Sequence, residues 1–193
     1  SNNIRFFLQR EIPRNLIVTF SLNTPAIIAN EEHLSASLDA RLAAAEALAA
    51  RGILVGFHLH PMVWYEGWQS DYGALFERLL RRFDPSDVAM VSLGTLTFIK
   101  PVVKKLRSRG LRSKILQMPL ADANGKLSYP LQIKRELFKF AADALFPWRE
   151  RVFFYLCMED ASLWREVLGH EYESNDAFEE AMKAAYFAKI RRR

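Results

Sequence analysis

The stretch ILVGFHLHPMVWYEGW, residues 53–68, decides the fold because it contains a buried strand followed at once by a polar strand end. Its first part, Ile53–Phe57, is a β-branched and aromatic apolar run that begins directly after Gly52, a residue type that often ends a helix. Two histidines separated by one residue follow, then a proline and a cluster of aromatic residues. Residues two apart on a strand point to the same side, so we expect His58 and His60 to share one face of a sheet.

Similar short apolar runs alternate along the chain with segments of helical periodicity. The predicted strands are Leu16–Phe20, Ile53–Phe57, Val88–Leu93, Ile115–Met118 and Val152–Met158. The predicted helices cover residues 38–48, 72–83, 100–109 and 133–144. Two closing helices follow the last strand, with Asp160 and Asp176 as their expected N-caps.

This alternation of apolar strands and helices predicts the α/β class and a parallel sheet covered on both faces. A doubly wound sheet and part of a β/α barrel both fit the pattern. Half a barrel would have open edges, so we expect the closing helices or another chain to cover an edge strand.

Composition limits the functions that the chain can have. It has 193 residues, enough for one domain, and a formal net charge of +5 that favours polyanionic partners only weakly. Cys157 is the single cysteine, which excludes an internal disulfide and any iron–sulfur cluster held by this chain alone. One cysteine also fits a reducing cytoplasm, and no apolar run is long enough to predict a membrane span.

Polar residues stand at or just after the predicted strand ends, where parallel α/β folds place their chemistry. They are Ser21, Asn23, His58, His60, Thr95 and Glu159. The histidine pair has three interpretations. Both rings could bind a metal, with a distant histidine, His33 or His170, and an aspartate completing the site. They could instead hydrogen-bond a cofactor or substrate as neutral imidazoles, or be satisfied structural histidines.

The remaining candidates each have a structural alternative. Ser21 and Asn23 could hydrogen-bond a ribose or a carboxylate, or the Asn23-Thr24-Pro25 segment could cap the next turn. Glu66 is a candidate acid–base carboxylate framed by Tyr65 and Trp68, although a loop glutamate is more often solvated.

Several of these segments together resemble one family. The matching segments are FSLN (20–23), AARG (49–52), Gly56-Phe57 with Pro61, EGW (66–68) with Tyr72, and TFIKP (97–101). In this order and spacing, residues 15–110 resemble the C-terminal half of the spore photoproduct lyase family, radical SAM proteins often called DNA repair photolyases. The later segments YLCME (155–159) and LGHEY (168–172) are similar to photolyase-like relatives.

The resemblance implies a partial parallel β/α barrel that holds S-adenosylmethionine and a [4Fe–4S] cluster at its top. The family's Cys-x3-Cys-x2-Cys cluster motif lies in an N-terminal half that this sequence does not contain. Ser21 matches a family serine that contacts S-adenosylmethionine, Asn23 is beside it in the same motif, and His60 falls where the strand backbone approaches the adenine. By this resemblance His58 and His60 line the cofactor pocket, and the substrate side includes Tyr65, Glu66, Trp68 and Thr95.

The resemblance also implies a division of the chain and of the activity. Residues 1–193 are expected to be one domain of a longer protein, with βα units in 14–158 and a helical closure in 159–193. The full-length parent is expected to be a radical SAM lyase, and this chain alone, without cluster cysteines, to be inactive. Its expected partners are the missing N-terminal half and DNA.

Two departures from the family leave the substrate open. The lyase is apolar where this chain has His58 and His60. Its basic, aromatic lesion-probing hairpin is expected to have no counterpart in Ile115–Tyr129, where residues 118–125 carry no basic residue. Two alternatives therefore stay open: a metal-dependent barrel hydrolase that uses the two histidines, and a non-enzymatic DNA-binding module. The basic residues of that module would be Lys100, Lys104, Lys105, Arg107 and Arg109.

Overall fold

The computed structural model describes residues 2–110, 113, 115, 118–123 and 125–192. Its strands are β1 (Ile17–Ser21), β2 (Leu54–Met62), β3 (Val88–Thr95), β4 (Thr97–Ile99), β5 (Ala121–Ala123), β6 (Lys126–Ser128) and β7 (Phe153–Leu156). Its helices are α1 (Arg5–Gln9), α2 (Pro25–Glu31), α3 (Leu38–Ala49), α4 (Trp68–Arg82), α5 (Lys100–Ser108), α6 (Leu131–Ala144), α7 (Ala161–Leu168) and α8 (Asn175–Arg191).

A parallel sheet of four strands in the order β1-β2-β3-β7 forms the centre of the fold. Its register aligns Phe20, Phe57, Val91 and Phe154 in one row across all four strands. This apolar row belongs to the main hydrophobic core, together with residues of α3, α4, α6 and α7. We call this side the outer face. The parallel partial barrel predicted from the sequence is confirmed.

The opposite side of the sheet, the inner face, carries the alternate residues of each strand. α8 lies on part of it: Tyr186 and Ile190 pack against a small cluster that contains Leu54 and Met90. Near the other end of α8, the Phe178 ring lies 5.4 Å from the ring of Tyr155. The expectation that a closing helix covers an edge strand is confirmed for β7, whose inner side faces α8.

The other edge of the sheet is more open. β1 is the terminal strand there, and the side chains of Thr19 and Ser21 on its inner side are exposed. Thus α8 covers the β3–β7 half of the inner face and leaves the β1 end accessible.

A second, antiparallel sheet of three short strands in the order β4-β6-β5 follows the end of β3. Residues 115–129 do contain a short hairpin, formed by β5 and β6, that the sequence patterns did not predict. An ion pair between Lys100 and Asp122 joins this hairpin to the start of α5. Sequence patterns missed it because strands of three residues are too short to show an alternating pattern.

Two local predictions need correction. The predicted strand Ile115–Met118 is not supported: Ile115 is in a 3-10 turn and Met118 in a bend, while residues 116 and 117 lie outside the described part of the chain. The predicted cap Asp176 is in the first turn of α8, and the N-cap is Ser174, whose Oγ accepts a hydrogen bond from the Ala177 amide at 3.1 Å. In the part of the chain that the structure describes, we find no helix with the length and apolar character needed to cross a bilayer.

Candidate functional site

One row of the sheet register is polar on all four strands. Ser21 on β1 lies opposite His58 on β2, His58 opposite Ser92 on β3, and Ser92 opposite Tyr155 on β7. This row is adjacent to the apolar row of the outer face, so its side chains point to the inner face. Four hydrogen-bonding side chains therefore cross the inner face close to the C-terminal ends of the strands.

The two histidines converge on Ser92. Its Oγ lies 2.9 Å from His58 Nδ1 and is also hydrogen-bonded to His60 Nε2, and Ser92 is completely buried. The imidazole rings are 5.2 Å apart between centroids and tilted by 60°. Gly94 provides the space for this arrangement, since a Cβ at that position would lie 3.1 Å from Cδ2 of His60.

Both imidazoles are neutral near pH 7. Burial lowers the pKa of His58, and burial together with the neighbouring His58 lowers the pKa of His60 to about 4. A charged ring would lose solvation and be repelled by its neighbour. The pair therefore offers neutral donors and acceptors to the inner face.

Asn23 lies just beyond β1 and is only 2% exposed. Its Nδ2 donates to the Pro61 carbonyl at 2.9 Å, and its Oδ1 accepts from the Tyr72 hydroxyl at 2.8 Å and from the Thr24 amide at 2.9 Å. Asn23 thus joins the end of β1 to the end of β2, where the His60–Pro61 peptide bond is cis. The residue positions the strand ends.

Thr24 is the N-cap of α2, as the capping alternative anticipated, because its Oγ1 accepts from the Ile27 amide. Arg41 is a further anchor that the sequence did not reveal. Its guanidinium donates to the carbonyls of Ser21 at 2.9 Å and Ala36 at 2.8 Å, and it forms an ion pair with Glu32. The backbone of Ser21 is held in this way while its side chain stays exposed.

The candidates Tyr65, Glu66 and Trp68 differ in their exposure to solvent. The Tyr65 side chain is buried, and its hydroxyl donates to Asp71 at 2.7 Å and lies 2.7 Å from Thr24 Oγ1. Trp68 is also buried and packs edge-on against the Phe140 ring at 5.2 Å. Glu66 alone of the three is exposed. The two aromatic residues therefore stabilise the start of α4.

Thr95, at the end of β3, belongs to a buried polar cluster. Its Oγ1 donates to Glu159 Oε1 at 2.9 Å, and Lys134 Nζ donates to Glu159 Oε2 at 2.7 Å. The Glu159 side chain is 2% exposed and that of Lys134 11%. A buried carboxylate with a cationic partner fixes the ends of β3 and β7 to α6. Lys134 was missed because its helical position gives no sign of burial.

Two cavities border the sheet. One of about 470 Å³ lies beside the end of β7 and is lined in part by Tyr155, Cys157, Trp164 and Tyr172. A larger one of about 1110 Å³ lies near the N-terminal ends of the strands, away from the polar row, and mixes basic with acidic side chains. The smaller cavity is the one that borders the candidate site.

Among the described residues there is no group of three or more His, Cys, Asp or Glu side chains that could hold a metal ion. The metal-dependent hydrolase alternative is therefore not supported. Cys157 is a half-buried free thiol whose pKa is raised by burial and by Glu159.

Comparison with known proteins identifies relatives of this chain. The family model of spore photoproduct lyase matches residues 4–122. A spore photoproduct lyase from a Geobacillus species is 31% identical over 98 residues, which cover 50% of this chain and 29% of that protein. The one from Clostridium acetobutylicum is 36% identical over 123 residues, covering 64% and 32%. The chain thus spans less than a third of the length of these relatives.

Solved structures share the fold. A spore photoproduct lyase complexed with dinucleoside spore photoproduct superposes with a TM-score of 0.69 at 24% identity, covering 81% of this chain and 49% of that one. A variant of the enzyme with bound AdoMet and dinucleoside spore photoproduct gives a TM-score of 0.67 at 23% identity, with the same coverage. With the family model matching more than half of its residues, the chain belongs to the spore photoproduct lyase family.

Proposed function

We propose that this chain is the C-terminal part of a radical SAM enzyme of the lyase type that acts on a DNA lesion. Residues 14–158 supply the βα units of the barrel, and residues 159–193 supply the helical closure. The polar row on the inner face carries the proposal, since it places Ser21, His58 and Ser92 at neighbouring strand ends in a chain of this family. The relative from Clostridium acetobutylicum is a spore photoproduct lyase, and a solved structure of the family is a spore photoproduct lyase complexed with dinucleoside spore photoproduct.

The inner face suits S-adenosylmethionine in its charge and its donors. The cofactor is a sulfonium cation, which neutral imidazoles at positions 58 and 60 do not repel. The exposed hydroxyl of Ser21 can donate to the cofactor's carboxylate. When it is bound, S-adenosylmethionine supplies radical chemistry. Asn23 and Arg41 keep the β1 end in place for this contact.

The residues of this chain do not fit a [4Fe–4S] cluster. Such clusters are held by several Cys thiolates, and the sequence has only Cys157. We therefore place the cluster ligands in an N-terminal half of the parent protein, and Cys157 is given no part in holding the cluster.

The open end of the sheet is the proposed joint with that half. β1 is the terminal strand, and Thr19 and Ser21 are exposed on its inner side. A strand edge exposes unpaired backbone groups, and a barrel continues when another strand pairs with such an edge. The N-terminal half would add its strands beside β1 and cover the exposed side chains.

DNA is the proposed substrate, with α5 as the contact to its phosphates. This helix directly follows β4 of the antiparallel sheet, and residues 100–109 include exposed cations but no acidic residue, although Lys100 is paired with Asp122 of the hairpin. The exposed basic residues are Lys100, Lys104, Lys105, Arg107 and Arg109. Basic side chains on one element neutralise phosphates without selecting a sequence. The basic residues of the DNA-binding alternative would thus contact the DNA substrate of the enzyme.

Iron and sulfide analysis of the parent protein, purified without oxygen, tests the proposal. We expect about four iron and four sulfide ions per protein, the content of one [4Fe–4S] cluster. The present chain, purified in the same way, is the control and should contain neither. A parent whose upstream sequence lacks a Cys-x3-Cys-x2-Cys motif, or that is free of iron, would contradict the proposal.

A further inference from the structure

The shared hydrogen bonds of His58, Ser92 and His60 limit where their protons can be. Ser92 Oγ contacts Nδ1 of His58 and Nε2 of His60, and Ser92 is completely buried. A serine hydroxyl has one proton to donate and two lone pairs that accept. Because Ser92 is buried between these two rings, its proton goes to one ring nitrogen and the other ring donates to its oxygen.

The second nitrogen of each ring remains available. Neither His58 Nε2 nor His60 Nδ1 has a hydrogen-bond partner among the described residues. No buried side-chain nitrogen or oxygen in that part of the chain lacks a partner. Because both rings are only half-buried, these two nitrogens must reach the solvent. Two ring nitrogens without partners therefore open onto the inner face.

The single proton of Ser92 determines which of the two open nitrogens is a donor and which is an acceptor. The single Ser92 proton goes to one histidine nitrogen, and the other histidine donates to Ser92 Oγ. If His58 accepts, His60 donates through Nε2, and both rings carry their proton on Nε2. If His60 accepts, both rings carry it on Nδ1. In either state one open nitrogen is a donor and the other is an acceptor.

We propose that His58, Ser92 and His60 form a recognition site for the edge of a nucleobase or planar amide that has a hydrogen-bond donor beside an acceptor. The pair exchanges the two roles when one proton passes between the rings through Ser92 while the open nitrogen of one ring releases a proton to solvent and that of the other takes one up, so it matches either orientation of such an edge. A ligand edge with acceptors only leaves one open nitrogen without its partner. Where the adenine of the cofactor is the ligand, the inference rests on the proposed function; where a DNA base is the ligand, it does not need the cofactor.

The tautomers of His58 and His60 can be measured directly. Nitrogen-15 spectra of protein labelled at histidine distinguish the two neutral tautomers, and His33→Gln and His170→Gln assign the other signals. At pH 7 we expect both His58 and His60 to be neutral and to have the same tautomer. Opposite tautomers in the native protein would overturn the inference.

Binding of small probes tests the ligand class and its source. Adenosine and thymidine each have a donor beside an acceptor, whereas N6,N6-dimethyladenosine and N3-methylthymidine lack the donor. We expect at least one parent nucleoside to bind this chain, and its methylated form to bind about tenfold more weakly, the effect of one hydrogen bond. Ser92→Ala should reduce affinity by a similar factor, whereas the matched control Ser162→Ala, on the exposed side of α7, should not.

The outcomes distinguish this inference from the proposed function. Binding of adenosine supports both. Binding of thymidine alone supports the recognition site and removes the histidines from the cofactor pocket. If neither nucleoside binds, or if methylation or Ser92→Ala has no effect on affinity, the recognition site is refuted, while the iron content of the parent still tests the proposed function.

Discussion

Ser21 and His58 are directly opposite each other in the register of β1 and β2, and both side chains point to the inner face. One is an exposed hydroxyl, and the other is an imidazole tied to the buried Ser92. The exposed side chain is thus free to contact a ligand, while its neighbour is fixed by the sheet. This pairing gives the inner face both a contact group and a rigid support.

Gly94 is required for the position of His60. In Gly94→Ala the new Cβ would lie 3.1 Å from the imidazole, so the ring must shift and its bond to Ser92 weakens. We expect a loss of about 1–3 kcal/mol in the free energy of unfolding, as for other overpacked sites. Urea denaturation measures this loss. In the control Gly73→Ala, on α4, the Cβ would be 3.6 Å from Phe140, an ordinary contact, and the helix should gain about 0.5–1 kcal/mol. Equal effects of the two substitutions would refute the steric role of Gly94.

Stability should decrease in acid because His60 resists protonation in the folded state. Its pKa is about 4, below the value of 6.5 in the unfolded chain, so between these pH values the unfolded state binds more protons. The stabilisation is present above pH 6.5 and is lost as the pH falls through about 4. Urea denaturation from pH 7 to pH 4 should show a smaller loss for His60→Gln than for the native protein. If His33→Gln reduces the loss as much as His60→Gln does, this assignment is wrong.

Lys134 should be important for folding because its partner carboxylate is buried. Lys134→Met leaves Glu159 without its cation, and we expect a loss of roughly 3–5 kcal/mol of unfolding free energy at pH 7. Thermal unfolding can measure it. Arg135→Met is the matched control on the same helix, since Arg135 pairs with Glu166 at the surface, and it should hardly change the melting temperature. A small effect of Lys134→Met would refute the role of this ion pair in folding.

The basic helix α5 should determine the salt dependence of DNA binding by the parent protein. Replacing Lys104 and Lys105 with alanine removes two exposed cations. If each contacts a phosphate, the slope of log affinity against log salt decreases by about 0.9 per contact. Fluorescence anisotropy with duplex DNA at several salt concentrations measures the slope. Lys183→Ala, on α8, is the control, and an equal effect of this substitution would place the DNA elsewhere.

Local sequence patterns predicted the features that depend on neighbouring residues. The apolar runs predicted β1, β2, β3 and β7, and the spacing of His58 and His60 placed both rings on one face. The pairing of both rings with Ser92 depends on the alignment of β2 with β3, which one sequence does not show. The position of α8 on the inner face depends likewise on contacts between distant segments.

Affinity for S-adenosylmethionine tests the central claim most directly. Calorimetric titration of the cluster-loaded parent should show binding, and Ser21→Ala should weaken it by roughly 1.5–3 kcal/mol, the contribution of a hydrogen bond to a charged group. The urea midpoint of the variant should stay the same, because the Ser21 side chain is exposed. The control Ser162→Ala should change neither quantity. Unchanged affinity together with a lower urea midpoint for Ser21→Ala would contradict the account and leave Ser21 with a structural role.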